Sequence, residues 1–393
     1  MKNKRIAIYT GELPPPTFVD RLILGLAEQG HTIYLFGAIQ KEMTNYPKNI
    51  KVIGYTNKWS KIVQLLKYSL LLYFFKNADK KKLDNIIKNA GNLTYLKKMK
   101  YYPILYHHPD IFHLQWVKGI SDWIWIKEFN MKLVVSLRGA HVNYSPICHP
   151  EIANQYRTCF PEVDFFHAVS NEIEKEASKY GDINKKTKVI YSGFPILKEN
   201  NFEVSNSSGT INIISIGRGH WIKGYSYAMD AMSILKQKGF KFTYTIIGLG
   251  QNEELLFQRN QLGLNKEVTF IDKVPFEKVE KYLIKSDILL LSSTKEGIAN
   301  VVIEAMALGV QVISTDCGGI SELIVHKENG YIIPIRDPLA IAEAIVYTQS
   351  LTIESKTRLI EKAKNKVESQ HEIKRMIQEF NELYEQWDEE FEK

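Results

Sequence analysis

The sequence predicts an α/β protein built from two Rossmann-like, doubly wound domains in tandem. Three observations carry this expectation. Apolar runs of four to seven residues alternate with longer helical patterns along most of the chain, the runs fall into two series, and the polar stretch Lys198–Thr210 divides them. Short buried strands separated by helices mean parallel sheets with crossover helices on both faces. At 393 residues the chain is too long for one core and suits two domains of roughly 200 residues.

The first series of expected strands is Arg5–Tyr9, Thr32–Phe36, Ile111–Gln115, Lys132–Ser136, Phe165–Val169 and Lys188–Tyr191. The second is Ile211–Ile216, Phe242–Ile247, Val268–Ile271, Ile288–Leu291, Gln311–Ser314 and Gly330–Ile333. The expected domains are therefore 1–197 and 198–370, with ligands held in a cleft between them. In the tail, 371–393, Ile373, Met376, Ile377, Phe380, Tyr384 and Trp387 recur at i, i+3, i+4 and i+7. That spacing predicts an amphipathic helix, and its apolar stripe needs a surface, expected to be the first domain.

Composition removes several classes. With 45% hydrophobic and 11% aromatic residues the chain is not disordered. Three widely spaced cysteines, Cys148, Cys159 and Cys317, do not make a disulfide framework. The start, Met1–Thr10, is too short in apolar residues for a secretory leader and reads as a first strand, so a cytoplasmic protein is expected. The longest apolar stretch, Ile62–Phe75, contains Gln64 and Lys67 and falls short of the ~20 residues that span a bilayer.

Charge is concentrated. Of the net +7, residues 58–100 contribute eleven lysines against two aspartates, a local +9, so the remainder sums to −2. Trp59, Tyr68, Tyr73, Phe74, Phe75, Tyr95, Tyr101 and Tyr102 are interleaved with the lysines. Basic, aromatic and apolar residues together suit an anionic membrane surface. The alternative is a solvated lysine face over an ordinary core helix. No nucleic-acid motif accompanies the patch, so nucleic acid is not an expected partner.

Two constellations carry the chemistry. Ser215–Gly224, reading S-I-G-R-G-H-W-I-K-G, follows an expected strand and opens a helix near Tyr225. Glycines there let backbone N–H groups approach a diphosphate, and Arg218 and Lys223 neutralise its oxygens. Glu296–Gly309 follows the strand Ile288–Leu291, which puts Glu296 in the loop and Glu304 two turns into the next helix. Asn300, Val301 and Val302 would present free amides at that helix's amino terminus. Gly248-Leu-Gly250 lacks the third glycine of a dinucleotide fingerprint. The spacing of His141, Cys148, His149 and Cys159 is irregular for a metal site, and no Asp-x-Asp occurs. No metal or other cofactor is expected.

Glu296-x7-Glu304, preceded by Gly217-Arg218-x4-Lys223-Gly224, resembles the retaining family 4 glycosyltransferases of the GT-B fold. The likeness continues through Ile246–Gly250, Val268–Val274 and Ser314–Glu322, about 180 residues in all. In the first half, Ala27–His31, Ser136–His141 and His167–Ser170 are similar, while Pro16–Val19 and His113–Trp116 resemble the exopolysaccharide, capsule and lipopolysaccharide branch. The resemblance implies that Arg218 and Lys223 bind the donor diphosphate, Glu304 the ribose and Glu296 the transferred sugar. It further implies donor contacts from His141, from Gly11 in the first-strand loop, from Gly217 and Gly248, and from the amides of Asn300, Val301 and Val302. The Gly-Gly pair common in that first loop is replaced here by Thr10-Gly11-Glu12. The expected activity is that of a retaining hexosyltransferase using a nucleotide diphosphate sugar and a lipid-linked or oligosaccharide acceptor, peripheral to the membrane through 58–100. A nucleotide-sugar epimerase or hydrolase of the same fold, or a non-catalytic subunit, are the rival readings.

Overall fold

The computed structural model describes residues 3–43, 45–91, 94–195 and 209–389. The chain divides into two units. One comprises Met1–Val169, Glu174–Ile190 and Met376–Lys393, the other Ser170–Ile173 and Tyr191–Arg375. The expected boundary at 197/198, and nearly all of the polar stretch after it, lie outside the described residues.

In the first unit the described strands are β1 (Arg5–Leu13), β2 (Thr32–Ile39), β3 (Ile50–Tyr55), β4 (Ile111–Leu114), β5 (Lys132–Leu137), β6 (Phe165–Ala168) and β7 (Thr187–Val189). They form one sheet in the order β3-β2-β1-β4-β5-β6-β7, and each pairing is parallel. The second unit has β8 (Ile211–Ile216), β9 (Phe242–Ile247), β10 (Val268–Ile271), β11 (Ile288–Leu291), β12 (Gln311–Thr315) and β13 (Tyr331–Ile333), ordered β10-β9-β8-β11-β12-β13. Its core is laid down on both faces, as buried parallel strands require. Ile213, Tyr244, Ile246 and Leu290 pack on one face with the helix Tyr225–Gln237. Ile214, Ile247, Leu289 and Leu291 pack on the other with the helix Asn300–Ala307.

The strand that sequence reading missed is β3. Only Ile50 is buried there, and Lys51 and Val52 face solvent. An edge strand does not need the continuous apolar run by which the inner strands announce themselves.

The lysine-rich segment folds as three helices, Lys58–Phe75, Asn77–Asn89 and Thr94–His107. Asn57 and Ser60 close a reciprocal capping box at the start of the first. That helix buries Tyr68 and Leu72 and turns a row of large apolar side chains outward: Trp59 is 78% exposed, Val63 63%, Leu66 and Leu70 58% each, and Phe74 72%. These positions are three or four apart, so they form one stripe. Several lysines, by contrast, are structural. Lys80 and Lys98 both pair with Asp84, at 3.0 and 2.8 Å, and Asp84 also accepts from the Tyr102 hydroxyl at 2.6 Å. The segment is therefore not a uniform solvated lysine face; its most exposed helix face is apolar. Among the described residues no helix is long and apolar enough to cross a membrane.

The tail forms the helix Ile373–Glu389. Met376, Ile377, Phe380, Leu383 and Tyr384 are buried, and from Met376 onward the chain groups with the first unit; the Trp387 side chain is outside the described residues. Ile377 fits against Gly25, where an added Cβ would lie 2.4 Å from its Cδ1. A chain of hydrogen bonds then ties the helix to the sheet. Tyr384 Oη meets His113 Nδ1 at 2.7 Å, His113 Nε2 meets Ser136 Oγ at 2.8 Å, and Ser136 Oγ meets His167 Nδ1 at 2.8 Å. His167 Nε2 ends the chain on the Ile190 carbonyl at 2.9 Å. Because a carbonyl only accepts, His167 must donate from Nε2 and accept at Nδ1, and every proton back to Tyr384 is then assigned. Both imidazoles are neutral. Burial, with the Arg138 charge nearby, pulls His113 down to about 3 and holds His167 well below its ordinary range.

Two outcomes are expected. Tyr384→Phe leaves the buried His113 Nδ1 without its donor, so denaturant titration should find a loss of ~1–3 kcal/mol. An unfolded histidine titrates near 6.5, whereas folded His113 stays neutral to about 3. Between those values the unfolded state binds more protons, so stability is full above pH 6.5 and falls as the pH drops below it. A melting temperature that is flat from pH 7 to 5 would contradict this.

Candidate functional site

The second sheet reverses its strand order between β8 and β11. At such a reversal the loops at the carboxyl ends of neighbouring strands diverge to opposite faces and leave a crevice where ligands bind. The loop after β8 is Gly217–Gly224, and the loop after β11 begins at Ser292. The two expected constellations therefore meet at one place.

They are locked together by short contacts. Thr294 N–H donates to the Ile222 carbonyl at 2.7 Å, and Ser292 Oγ donates to the Lys223 carbonyl at 2.9 Å. Gly224 takes a left-handed conformation, φ +61, and an added Cβ would lie 2.1 Å from the Ser292 carbonyl oxygen. No other residue permits that approach. On the other side Glu296 N–H donates to the Cys317 carbonyl at 2.7 Å, and a Cβ on Gly318, φ +92, would come within 2.4 Å of the Glu296 carbonyl oxygen. Gly217 and Gly248 also touch: a Cβ on Gly248 would sit 2.9 Å from the Gly217 carbonyl oxygen.

Lys223 Nζ reaches Glu296 Oε1 at 2.7 Å, with both side chains less than one-fifth exposed. Ser293 Oγ donates to the same oxygen at 2.8 Å. Arg218 is exposed at the head of its loop, so its charge is available to a ligand while that of Lys223 is already met by a carboxylate. Glu304 lies partly buried in the helix Asn300–Ala307, one turn beyond Asn300. No side chain caps this helix. One expectation needs correction here: Val302 N–H is not free but donates to the Ala299 carbonyl at 2.9 Å, because the first turn tightens. The amides at the exposed end belong to Asn300 and Val301.

Sequence reading missed three contributors. The buried Tyr225 hydroxyl has no partner among the described residues and would lie 2.8 Å from a Cβ on Gly217; burial, Tyr244 and Glu296 all raise its pKa. Ser293 and the Cys317 carbonyl are the others. None belongs to a residue type whose position alone signals chemistry.

Gly11 and His141 belong to the first unit. Gly11 is not in a loop but within β1, at φ +84, where the register against β2 shifts between Tyr9 and Gly11. The shift brings Gly37 so close that its Cβ would be 2.8 Å from the Gly11 carbonyl oxygen. His141 sits in the short helix Gly139–Asn143 after β5, its ring 5.8 Å from that of Trp116, and its carbonyl accepts from Tyr156 Oη at 2.9 Å.

Gly224→Ala should lower stability more than Gly239→Ala. Both glycines have positive φ, but nothing lies within 4 Å of a Cβ on Gly239, so Gly239→Ala reads out backbone strain alone, ~1 kcal/mol or more. Equal melting temperatures for the two variants would mean that the loops part freely.

Residues 198–366 match the family model Glycosyl transferases group 1. The amylovoran biosynthesis glycosyltransferase AmsK of Erwinia amylovora is 38% identical over 143 residues, 35% of each chain. The putative colanic acid biosynthesis glycosyltransferase WcaL of Escherichia coli is 28% identical over 221 residues, 54% of each. The chain thus spans about a third of the first relative's length and about half of the second's. Among solved structures, Anabaena HepE in complex with UDP and glucose superposes with a TM-score of 0.70 at 17% identity, covering 97% of this chain and 99% of that one. Sucrose-phosphate synthase from Thermosynechococcus elongatus gives 0.74 at 16%, covering 98% and 99%. At these identities the likeness establishes the fold, two parallel-sheet Rossmann-like domains of the GT-B type.

Proposed function

We propose that the protein is a retaining hexosyltransferase that moves a sugar from a nucleotide diphosphate sugar to a lipid-linked or oligosaccharide acceptor in surface polysaccharide synthesis. The observation that carries this reading is the meeting of Arg218, the Lys223–Glu296 pair and an uncapped helix amino terminus at the reversal point of the second sheet. It is supported by the family match over 198–366, by the names of the relatives and by the UDP held in HepE. Retention of configuration rests on the family resemblance alone.

In this reading Arg218 and Lys223 neutralise the departing diphosphate, aided by the amides of Asn300 and Val301. Glu296 accepts from hydroxyls of the transferred sugar while Lys223, 2.7 Å away, holds its carboxylate in place. Glu304 takes the ribose, and Gly217 and Gly248 let the nucleotide approach the backbone. His141 is the group we assign to the donor sugar from the first unit. No metal is assigned a role in this reading. An epimerase or hydrolase of the same fold would release free sugar or a new nucleotide sugar without acceptor, which mass spectrometry distinguishes. A non-catalytic subunit would have little use for the Lys223–Glu296 pair.

Arg218→Ala and Lys223→Ala should each reduce turnover by ~10²–10³. Glu304→Gln should mainly weaken nucleotide binding and Glu296→Gln mainly lower turnover, because a ribose contact is equal in ground and transition states whereas a sugar contact tightens as the bond breaks. Unchanged nucleotide affinity in Glu304→Gln would remove the ribose assignment.

We further propose that the helix Lys58–Phe75 lies on an anionic membrane surface, where a lipid-linked acceptor resides. Its exposed stripe supplies apolar insertion, and the neighbouring lysines supply ~1 kcal/mol each near anionic lipid. Wild type should co-sediment with anionic vesicles at low salt and detach as salt rises. Changing Trp59 and Phe74 to Ser, with Lys58, Lys67, Lys81 and Lys88 to Gln, should abolish this; Lys80 and Lys98 are left intact because they hold Asp84. Wild type that ignores anionic vesicles would place the acceptor in solution.

A further inference from the structure

The first sheet also reverses its strand order, between β1 and β4, and an unusual cation from the end of the next strand reaches the residue that follows β4. Arg138 is the residue that follows β5. One Nη2 proton goes to Gln115 Oε1 at 2.9 Å, and Gln115, which follows β4, is fully buried. Since a guanidinium only donates, Oε1 is the acceptor and the amide orientation is settled. Gln115 Nε2 is then a donor, and it has no partner among the described residues; neither has Arg138 Nε. Two buried N–H donors, one on each of these side chains, are left over.

The surroundings do not compensate the charge. The Arg138 guanidinium lies 4.7 Å from the Phe18 ring centre and 6.0 Å from that of Trp116, and the two rings meet edge to face at 6.2 Å. The titratable groups beneath it are His113 and His167, both neutral, and Arg138 itself helps to keep them so. No carboxylate among the described residues pairs with it. Burial pulls its pKa down to about 9, which is the mark of a cation held without a counter-charge. An unpaired buried charge costs several kcal/mol, and a merely structural arginine would be expected to face an Asp or Glu.

We propose that Arg138 and Gln115, flanked by Phe18 and Trp116, form an oxyanion subsite that holds a negatively charged substituent of the acceptor glycan, a uronate carboxylate or a phosphate. The donors match an acceptor-only group, and arginine is suited to planar carboxylate and phosphate oxygens. The partly exposed rings offer apolar faces to the sugar that carries it. The position, beside the reversal point of a parallel sheet, is where this architecture places ligands. The assignment to the acceptor rests on the glycosyltransferase reading; the anion site itself does not.

The test is calorimetric or NMR titration of the full chain with glucuronate, glucose 1-phosphate, inorganic phosphate and glucose at constant ionic strength. Wild type should bind at least one anionic sugar ~10-fold or more tightly than glucose, and the comparison of glucuronate with glucose 1-phosphate tells carboxylate from phosphate. Arg138→Gln should erase the preference and Arg138→Lys should keep part of it. If Arg138→Gln does not fold, Gln115→Leu, which spares the guanidinium, should still weaken the anion. UDP titrated into the same samples reads the other unit: unchanged UDP affinity with lost anion preference supports the subsite. Wild type that binds both anionic sugars no better than glucose, or a foldable Arg138→Gln variant that retains the preference, overturns it. Absence of UDP binding in wild type would instead strike at the nucleotide-sugar reading and leave the anion result standing.

Discussion

The two candidate sites of this chain follow from one constraint of parallel sheets. A strand must return by a right-handed crossover, so a sheet that grows first to one side of its opening strand and then to the other has a seam. In the second sheet that seam is β8 against β11, and in the first it is β1 against β4. Each seam places the segments that follow its two strands at one end of the sheet, and at β8/β11 these segments are joined by hydrogen bonds from Thr294 and Ser292 to the carbonyls of Ile222 and Lys223. The side chains argued for function, Arg218, Lys223 and Glu296 at one seam and Gln115 and Arg138 beside the other, come from the segments that follow these strands.

The two seams treat charge differently. At β8/β11 the Lys223 ammonium is paired with Glu296, and glycines at 224 and 318 hold the loops at contact distances that no side chain would allow. The pair costs little to keep because Ser293 shares the carboxylate, and it arrives at a ligand already aimed. Beside the β1/β4 seam the guanidinium of Arg138, which follows β5, has only a neutral amide and two aromatic rings. A paired cation is preorganised; an unpaired one is an unmet demand.

Much of this was legible in the sequence. The inner strands announced themselves by continuous apolar runs, since burial on both faces leaves no place for alternation, and the observed strands Ile211–Ile216, Phe242–Ile247, Val268–Ile271 and Ile288–Leu291 coincide with the expected ones. The site of the second unit was legible because charged residues sat next to glycines directly after strands. What could not be read depends on three-dimensional neighbours. β3 is an exposed edge, Val302 loses its free amide to a tightened turn, and Gly11 is drawn into a bulge rather than a loop. The lysines of 58–100 look alike in one dimension, yet Lys80 and Lys98 bracket a partly buried aspartate while the outward face of the preceding helix is apolar. Arg138 was read only as part of the family-like stretch Ser136–His141, because a missing counter-charge is visible only when all neighbours are known.

The segments of the first unit also set an order of synthesis. Its last piece, Met376–Lys393, follows the whole of the second unit in the chain. A ribosome therefore releases the second unit's residues before the first can close. Until Tyr384 emerges, His113 holds an acceptor nitrogen facing the empty seat of the final helix, and Gly25 waits without Ile377. The first unit is in effect a two-part object whose halves are separated in time by almost two hundred residues of translation, and a chain cut short near its end would leave the earlier-made unit, not the later one, incomplete.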